Sequence, residues 1–324
     1  MSGHEGRVVS LVGGETVGVV VMAYGTPRQL DEVEAYYTHI RRGRPPTPEL
    51  LDALVDRYKA IGGISPLAEK TEAQARGLQA SLDQREPGRF IVSIGLKHTT
   101  PFIEDAVDQV ITAGASRIVG LVLAPHYSSA SVGKYLQRMK DRVGEYSSEI
   151  SIGAVENWHL EPAYIDFLVD QVAANLSKMP ANTKVVFTAH SLPKSVIEGG
   201  DPYPEQLRAT GEAVADKLGL NPWSEWSIAW QSAGRTPEPW IGPDILNVIR
   251  DLASTGRAGG LLVCPCGFVS DHLEVLYDLD IEAAGVAQDV GLAFRRTSVL
   301  NDNKEVLAAL AELVIANIPD LIDT

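Results

Sequence analysis

The chain has 324 residues and 34.9 kDa, enough for two packed lobes. With 45% hydrophobic and 22% charged residues it is neither disordered nor fibrous, and its longest apolar runs, such as Val17 to Ala23, are too short to span a bilayer. The formal charge of −14 argues against general affinity for DNA, RNA or anionic lipid, so any anionic ligand must be met by a local basic cluster.

Residues 1–16 contain Gly, His, Glu and Arg without an apolar core and small-residue cleavage site; they read as an N-terminal tail rather than a secretion signal, and the cytoplasm is the expected location. Short β-branched runs then alternate with amphipathic helical stretches. Strands are expected near 17–23, 89–96, 117–124, 150–154, 183–189, 225–231, 259–264 and 290–296. Between the second and third, Phe102, Ile103, Ala106, Val107, Val110 and Ile111 repeat with helical period behind Thr100 and Pro101, an expected cap and first turn. A last helix carries Val306, Leu310, Leu313 and Val314 behind Asp302, the expected cap.

This pattern implies an α/β fold of two similar doubly wound, Rossmann-like lobes, each with a four-stranded parallel sheet, facing each other across a cleft. Residues 17–160 with the C-terminal helix, 302–324, form the expected first lobe, and 161–301 the second. Ligands of such sheets bind beyond the carboxyl ends of the strands. Tyr24 to Pro27, Lys97-His98, Pro125-His126, His190 to Pro193 and Phe268 to Glu274 all follow strands.

No G-x-x-x-x-G-K-[ST] occurs and no G-x-G-x-x-G follows a strand, which weighs against a nucleotide-dependent transferase. His190 at the tip of the fifth strand gains weight from the titratable run Ser270-Asp271-His272-Leu273-Glu274 after the seventh. Glu274, Asp278 and Glu282 are spaced i, i+4, i+8, so a helix would stack three carboxylates along one face. Such a column is either solvated surface or a ladder of hard oxygen ligands for a divalent cation, and a single-turn widening of the helix would bring the three into closer line. Arg41, Arg42 and Arg44, followed by Arg57, Tyr58, Lys59 and Gly62-Gly63-Ile64-Ser65, form the clearest anion-receiving candidate, against the alternative of a surface paired with Glu32, Glu34 and Asp56. Cys264 and Cys266, one residue apart in an apparent strand, are expected to point to opposite faces as small apolar fillers. Two thiols cannot supply the four that an iron–sulfur cluster normally takes, so no such cluster is expected.

In these stretches the chain resembles the ferrochelatases, and more narrowly the Gram-positive type that metallates coproporphyrin III. The resemblance runs from about Val17 to the final helix. It is carried by Val21 to Pro27, Tyr37-Thr38-His39-Ile40-Arg41-Arg42-Gly43-Arg44, Gly62 to Leu67, Gly95 to His98, Leu123 to His126, Ala189-His190-Ser191-Leu192-Pro193, Gly200 to Pro204, Trp230-Gln231-Ser232 and Gly267 to Asp278. It implies that His190 and Glu274 form the catalytic pair across the porphyrin centre, with Asp278 and Glu282 continuing the metal path outward and Tyr24 approaching the metal from the other face of the ring. Arg41, Arg57, Tyr58, Ser65 and Tyr135 would hold propionates or frame the pocket, with Thr26, Lys97, His98 and Trp240 as further lining. Ala23-Tyr24 favours the coproporphyrin branch over a protoporphyrin IX enzyme.

The resemblance further implies Fe(II) and a porphyrin as substrates, no required cofactor, and a downstream haem-processing enzyme as partner; a monomer is expected. At an unperturbed pKa near 6.5, His190 would be largely neutral and free to take a pyrrolic proton or ligate iron. A cleft gripping the propionates can spend remote binding energy on bending the ring. A non-catalytic haem carrier using Tyr24 or His190 as axial ligand is the remaining alternative; an acidic column beside the histidine serves it no purpose.

Overall fold

Seven consecutive buried residues, Val17–Ala23, make β1, a strand covered on both faces. The computed structural model describes residues 15–146, 149–234 and 236–320; most of the N-terminal tail and the last residues of the C-terminal lobe assignment lie outside these. With β2 (Phe90–Leu96), β3 (Arg117–Val122) and β4 (Ser151–Val155), β1 forms a parallel sheet of order β2-β1-β3-β4. A second parallel sheet holds β5 (Thr183–His190), β6 (Trp226–Gln231), β7 (Gly260–Cys264) and β8 (Ala293–Arg296) in the order β6-β5-β7-β8. The two halves therefore repeat one topology, as the alternating pattern implied. Each sheet has its first strand near the centre, where the order reverses and a crevice opens beyond the carboxyl ends.

Period-2 alternation assigns the strand residues to separate cores. Val19 and Val21 join a core that also takes Phe187, Leu262 and residues of helices Leu67–Arg85, Pro162–Leu176, Tyr203–Leu218 and Lys304–Ala316. Val20 and Met22 turn the other way, onto helices Ile103–Thr112 and Val132–Gly144. The second sheet repeats this, with Val186 and Val263 facing helix Ile245–Thr255 and the segment around Val275 and Leu279. The apolar core is thus continuous between the sheets. Helix Lys304–Ala316 lies on helix Leu67–Arg85, with an Arg85–Glu312 ion pair on its solvent side.

Three local expectations are corrected. Helix Ile103–Thr112 is capped at Phe102, whose backbone N–H donates to the Asp105 carboxylate at 2.7 Å, and not at Thr100. The last helix is capped by Asn303, which accepts from Val306 N at 3.0 Å, one residue beyond Asp302. Cys266 lies past the end of β7, because the chain turns there, with Cys266 N donating to Cys264 O at 2.8 Å. Both thiols consequently enter the same core instead of opposite faces, as buried free cysteines.

Candidate active site

A cleft of about 980 Å³ opens between the carboxyl ends of the two sheets, at the upper end of the range for small-molecule sites. Every residue expected at the site lines it, with one exception: His98, whose ring stands behind Tyr24 at 4.5 Å between centroids.

The second sheet supplies a chain of titratable groups. His190 ends β5, and its Nδ1–H donates to the carbonyl of Ser191, which turns Nε2 toward the cleft. Nε2 is 3.5 Å from Glu274 Oε1. His272 Nε2 stands 3.5 Å from the other oxygen, Oε2, and its own Nδ1–H donates to Ser270 O at 2.9 Å. One carboxylate therefore sits between two imidazoles oriented by backbone carbonyls. Burial works against charge on His190, yet the Glu274 carboxylate and the Ser191 carbonyl together push its pKa up to about 9. Burial likewise opposes charge on Glu274, but His190 and His272 hold it well below the usual carboxylate range. Each partner thus favours the charged form of the other, imidazolium beside carboxylate. This corrects the expectation of a neutral His190 at neutral pH.

Asp278 is next along the column. Its Oδ2 accepts from the Ser232 hydroxyl, and its Oδ1 makes no hydrogen bond, with Arg57 Nη1 at 3.6 Å. Burial and the charges of Glu274 and Glu282 raise its pKa to about 6, against the lowering pull of Ser232 and Arg57. Glu282 is exposed, so the three carboxylates run from half-buried Glu274 through buried Asp278 to solvent. A widening of the kind that would bring the three into closer line is present: Asp278–Ala283 is a π-turn in which Glu282 N donates to Tyr277 O, five residues back, at 2.9 Å.

The first sheet supplies the opposite wall. Tyr24 follows β1, lines the cleft and is 42% exposed, which decides against a packed turn aromatic. Partial burial and the nearby Glu274 charge hold its phenol well above the usual value. Gly25 makes the turn possible, with φ +86° and Thr99 Oγ1 only 2.4 Å from where a Cβ would stand. Thr26 Oγ1 lies 3.4 Å from the Tyr58 hydroxyl, whose pKa burial pushes up to about 12. Lys97 Nζ sits over the rings of Tyr135, at 5.0 Å, and Tyr24, at 5.8 Å; burial, Lys134 and Arg138 lower its pKa to about 8. Behind this wall, burial and the Lys97 charge hold His98 down at about 3, and its Nδ1 is 3.0 Å from that of His39.

The basic run divides. Arg57 stacks on Tyr277 at 4.7 Å and faces Asp278, so it stands beside the carboxylate column as much as in an anion grip. Arg41 stacks on Tyr37 at 5.6 Å and donates to Arg44 O, while Lys59 pairs with Asp56 on the exposed side. Ser65 is buried at the start of helix Leu67–Arg85, where Oγ accepts from Leu67 N at 3.3 Å. Trp240 closes the far side, 6.2 Å from the His190 ring, held by an indole bond to Thr236 at 2.9 Å.

Sequence reasoning missed the roles of His272, Ser232, Tyr36 and Tyr203, all of which line the cleft. His272 was findable, two residues before Glu274 in the run after β7. Ser232 stands in the motif Trp230-Gln231-Ser232 without a role legible there: it adopts φ +60°, a left-handed conformation that costs a non-glycine residue about 1–2 kcal/mol and that its Asp278 contact makes intelligible.

Among the described residues no helix is long and apolar enough to cross a membrane. Solved structures with this fold include the sirohydrochlorin chelatase SirB from Bacillus subtilis subspecies spizizenii in complex with cobalt, at TM-score 0.57 and 9% identity over 93% of this chain and 94% of that one. CbiX, the terminal enzyme of sirohaem biosynthesis in denitrifying bacteria, superposes at TM-score 0.53 and 14% identity over 93% and 99%. Identities this low speak for the fold alone. Sequence relatives are much nearer: the coproporphyrin III ferrochelatase of Halalkalibacterium halodurans is 45% identical over 92% of this chain and 96% of its own length, and that of Bacillus subtilis 44% over 92% and 97%. The ferrochelatase family model matches residues 16–318, spanning both sheets and every cleft group described above, and the chain thus belongs to the ferrochelatase family.

Proposed function

We propose that this protein inserts Fe(II) into coproporphyrin III, giving coproheme and releasing two protons. The observation that carries the reading is the His190–Glu274 pair, 3.5 Å apart in a cleft of about 980 Å³, with carboxylates leading from it to solvent. Relatives 45% and 44% identical over most of the chain are coproporphyrin III ferrochelatases, which supports the choice of porphyrin.

The chain's own groups suggest an order of events. Glu282 and Asp278 offer oxygen ligands that exchange with the waters of an incoming Fe(II), and the free Oδ1 of Asp278 faces the same space. As the cation comes to share Glu274, the charge that raises His190 is compensated, and the imidazolium releases its proton to the Asp278–Glu282 column. Neutral His190 then takes the two pyrrolic protons in turn, giving up the first before it accepts the second, and Asp278, with its pKa near 6, passes each along the column toward exposed Glu282 and solvent. On the opposite wall Tyr24 meets the metal from the other side of the ring, while Arg41, Arg57, Tyr58, Ser65, Tyr135 and Lys97 receive propionates at the rim. Four propionates on coproporphyrin, against two on protoporphyrin, suit this number of partners. Trp240 and Thr26 complete the lining, and His98 acts from behind Tyr24.

Iron is substrate here and no resident cofactor is needed; the only two cysteines are too few for an iron–sulfur cluster. The proposal extends to a cytoplasmic monomer that hands coproheme to a haem-processing enzyme; light scattering of the purified protein checks the monomer. The deciding experiment is anaerobic Fe(II) insertion into coproporphyrin III and protoporphyrin IX side by side, followed by the visible spectrum. Faster turnover of coproporphyrin III is expected. Preference for protoporphyrin IX would overturn the substrate assignment, and haem binding without insertion into either would leave a carrier.

A further inference from the structure

The turn that bears the carboxylate column is held from outside the cleft. Arg296, the last residue of β8, is 16% exposed and forks onto Asp280, with Nε 2.6 Å from Oδ1 and Nη2 2.8 Å from Oδ2. The same Nη2 reaches Asp271 Oδ1 at 3.1 Å, and Nη1 donates to Thr297 O at 3.2 Å. Asp271 is locked in turn by Asn301, which donates from Nδ2 to Oδ2 at 2.8 Å and accepts from Asp271 N at 2.9 Å.

Asp271 precedes His272 and Glu274, and Asp280 lies inside the π-turn after Asp278. One guanidinium thus ties together the two ends of the segment that carries the metal-facing groups. A π-turn is a rare, less favourable register than an α-helix and persists only where the surroundings over-determine it. In a straight α-helix residues four apart share a face but drift by about 40° around the axis, so Glu282 would stand about 80° from Glu274, a drift that the wider π-turn offsets in part. Asp280 is the π-turn residue that the clasp grips, and a planar five-donor fork suits holding a carboxylate in one orientation.

We propose that Arg296 is a positioning residue for metal insertion: by bridging Asp271 and Asp280 it keeps the π-turn in register and so holds Glu274 and Asp278 on one line into the cleft. This rests on the reading of those two carboxylates as the metal path. Loss of a group that orients a ligand typically costs about 10- to 100-fold in metal affinity or activity. Arg296→Gln and Asp280→Asn are each expected to lower kcat/KM for Fe(II) by about that factor, with porphyrin affinity, read by fluorescence quenching, unchanged. The double variant is expected to be no worse than the weaker single one, because both changes break the same clasp. Arg296→Lys, which keeps the charge but loses the fork, is expected to recover only part. Asp280 is 40% exposed, so Asp280→Asn tests the clasp even if Arg296→Gln fails to fold.

Unchanged Fe(II) kinetics in folded Asp280→Asn would overturn the inference, as would a porphyrin affinity that falls by the same factor as the Fe(II) parameter, since that is general loosening. Wild-type protein that metallates neither porphyrin would overturn this inference together with the functional reading; wild-type turnover that Asp280→Asn leaves intact overturns the clasp alone.

Discussion

Replacing Glu274 by Gln keeps the shape of the side chain between His190 and His272 and removes its charge. The raised His190 value, from 6.5 to about 9, corresponds to about 3 kcal/mol at about 1.36 kcal/mol per pH unit. The His190 side chain is 33% exposed and Glu274 37%, so screening by cleft water brings the pairing to about 1–2 kcal/mol. Because the folded value lies above the unfolded one, this stabilisation is complete below pH 6.5 and is lost as pH rises through about 9. Glu274, whose value is depressed, contributes above its ordinary 4.5 and loses that contribution as pH falls. In Glu274→Gln burial is opposed only by the Ser191 carbonyl and the Asp278 charge, and the His190 value should fall well below about 9. NMR titration of the imidazole Cε1–H resonances, with His190→Ala to assign the signal, reads both values directly. In parallel, wild-type kcat/KM for Fe(II) should climb through neutral pH toward about 9, and the small residual activity of Glu274→Gln should level off at lower pH. If His190 titrates near 6.5 in the wild type, or at one pH in both proteins, the ion pair is not what sets its state and the proton-release step falls.

Three further outcomes follow from other parts of the site. Ser232→Ala removes the hydroxyl that donates to Asp278, so its pKa should rise above about 6 and KM for Fe(II) should increase about tenfold near pH 7 but much less near pH 8; equal increases at both would refute the role. In the free protein Lys97 loses its charge as pH rises through about 8, so affinity for the anionic porphyrin should weaken across that range and Lys97→Gln should abolish the slope in a fluorescence binding titration. Gly267→Ala would set a Cβ 2.3 Å from that of Ala189, immediately before His190, and should cost about 1–3 kcal/mol in urea denaturation; an unchanged midpoint would show that the loop after β7 has room to shift.

The His190–Glu274 geometry also separates metal delivery from proton removal without assigning each residue a single task. On the proposed reading, an imidazolium at His190 keeps a positive charge where the cation is to arrive, so the carboxylates further out would meet the metal first. The gradient from exposed Glu282 to buried Asp278 fits such an order, in which water would be removed stepwise as the ion moves inward and protons would leave by the same oxygens.

Much of this protein was legible before any folding was known. Alternating β-branched runs and amphipathic helices identify strands within a few residues, because period 2 and period 3.6 are properties of the local chain. His190, Glu274, Asp278 and Tyr24 stand where strand ends and helical spacing put them, whereas i, i+4, i+8 carboxylates fit a plain α-helix and do not by themselves call for the widened turn. Caps were less legible: Asn303 and Asp302 are both good cap residues, and only the path of the chain chose between them. Tertiary structure alone decided the rest. It set His190 beside Glu274 and so inverted its expected protonation, since a pKa depends on charges a few ångströms away and not on sequence neighbours. It turned both thiols into one core by ending β7 at Cys264, moved Arg57 toward Asp278, and put the Ser232 hydroxyl on a carboxylate from another segment. Local pattern determines which elements form and which face they bury; through-space distance, which the chain order does not encode locally, determines what the groups they carry are able to do.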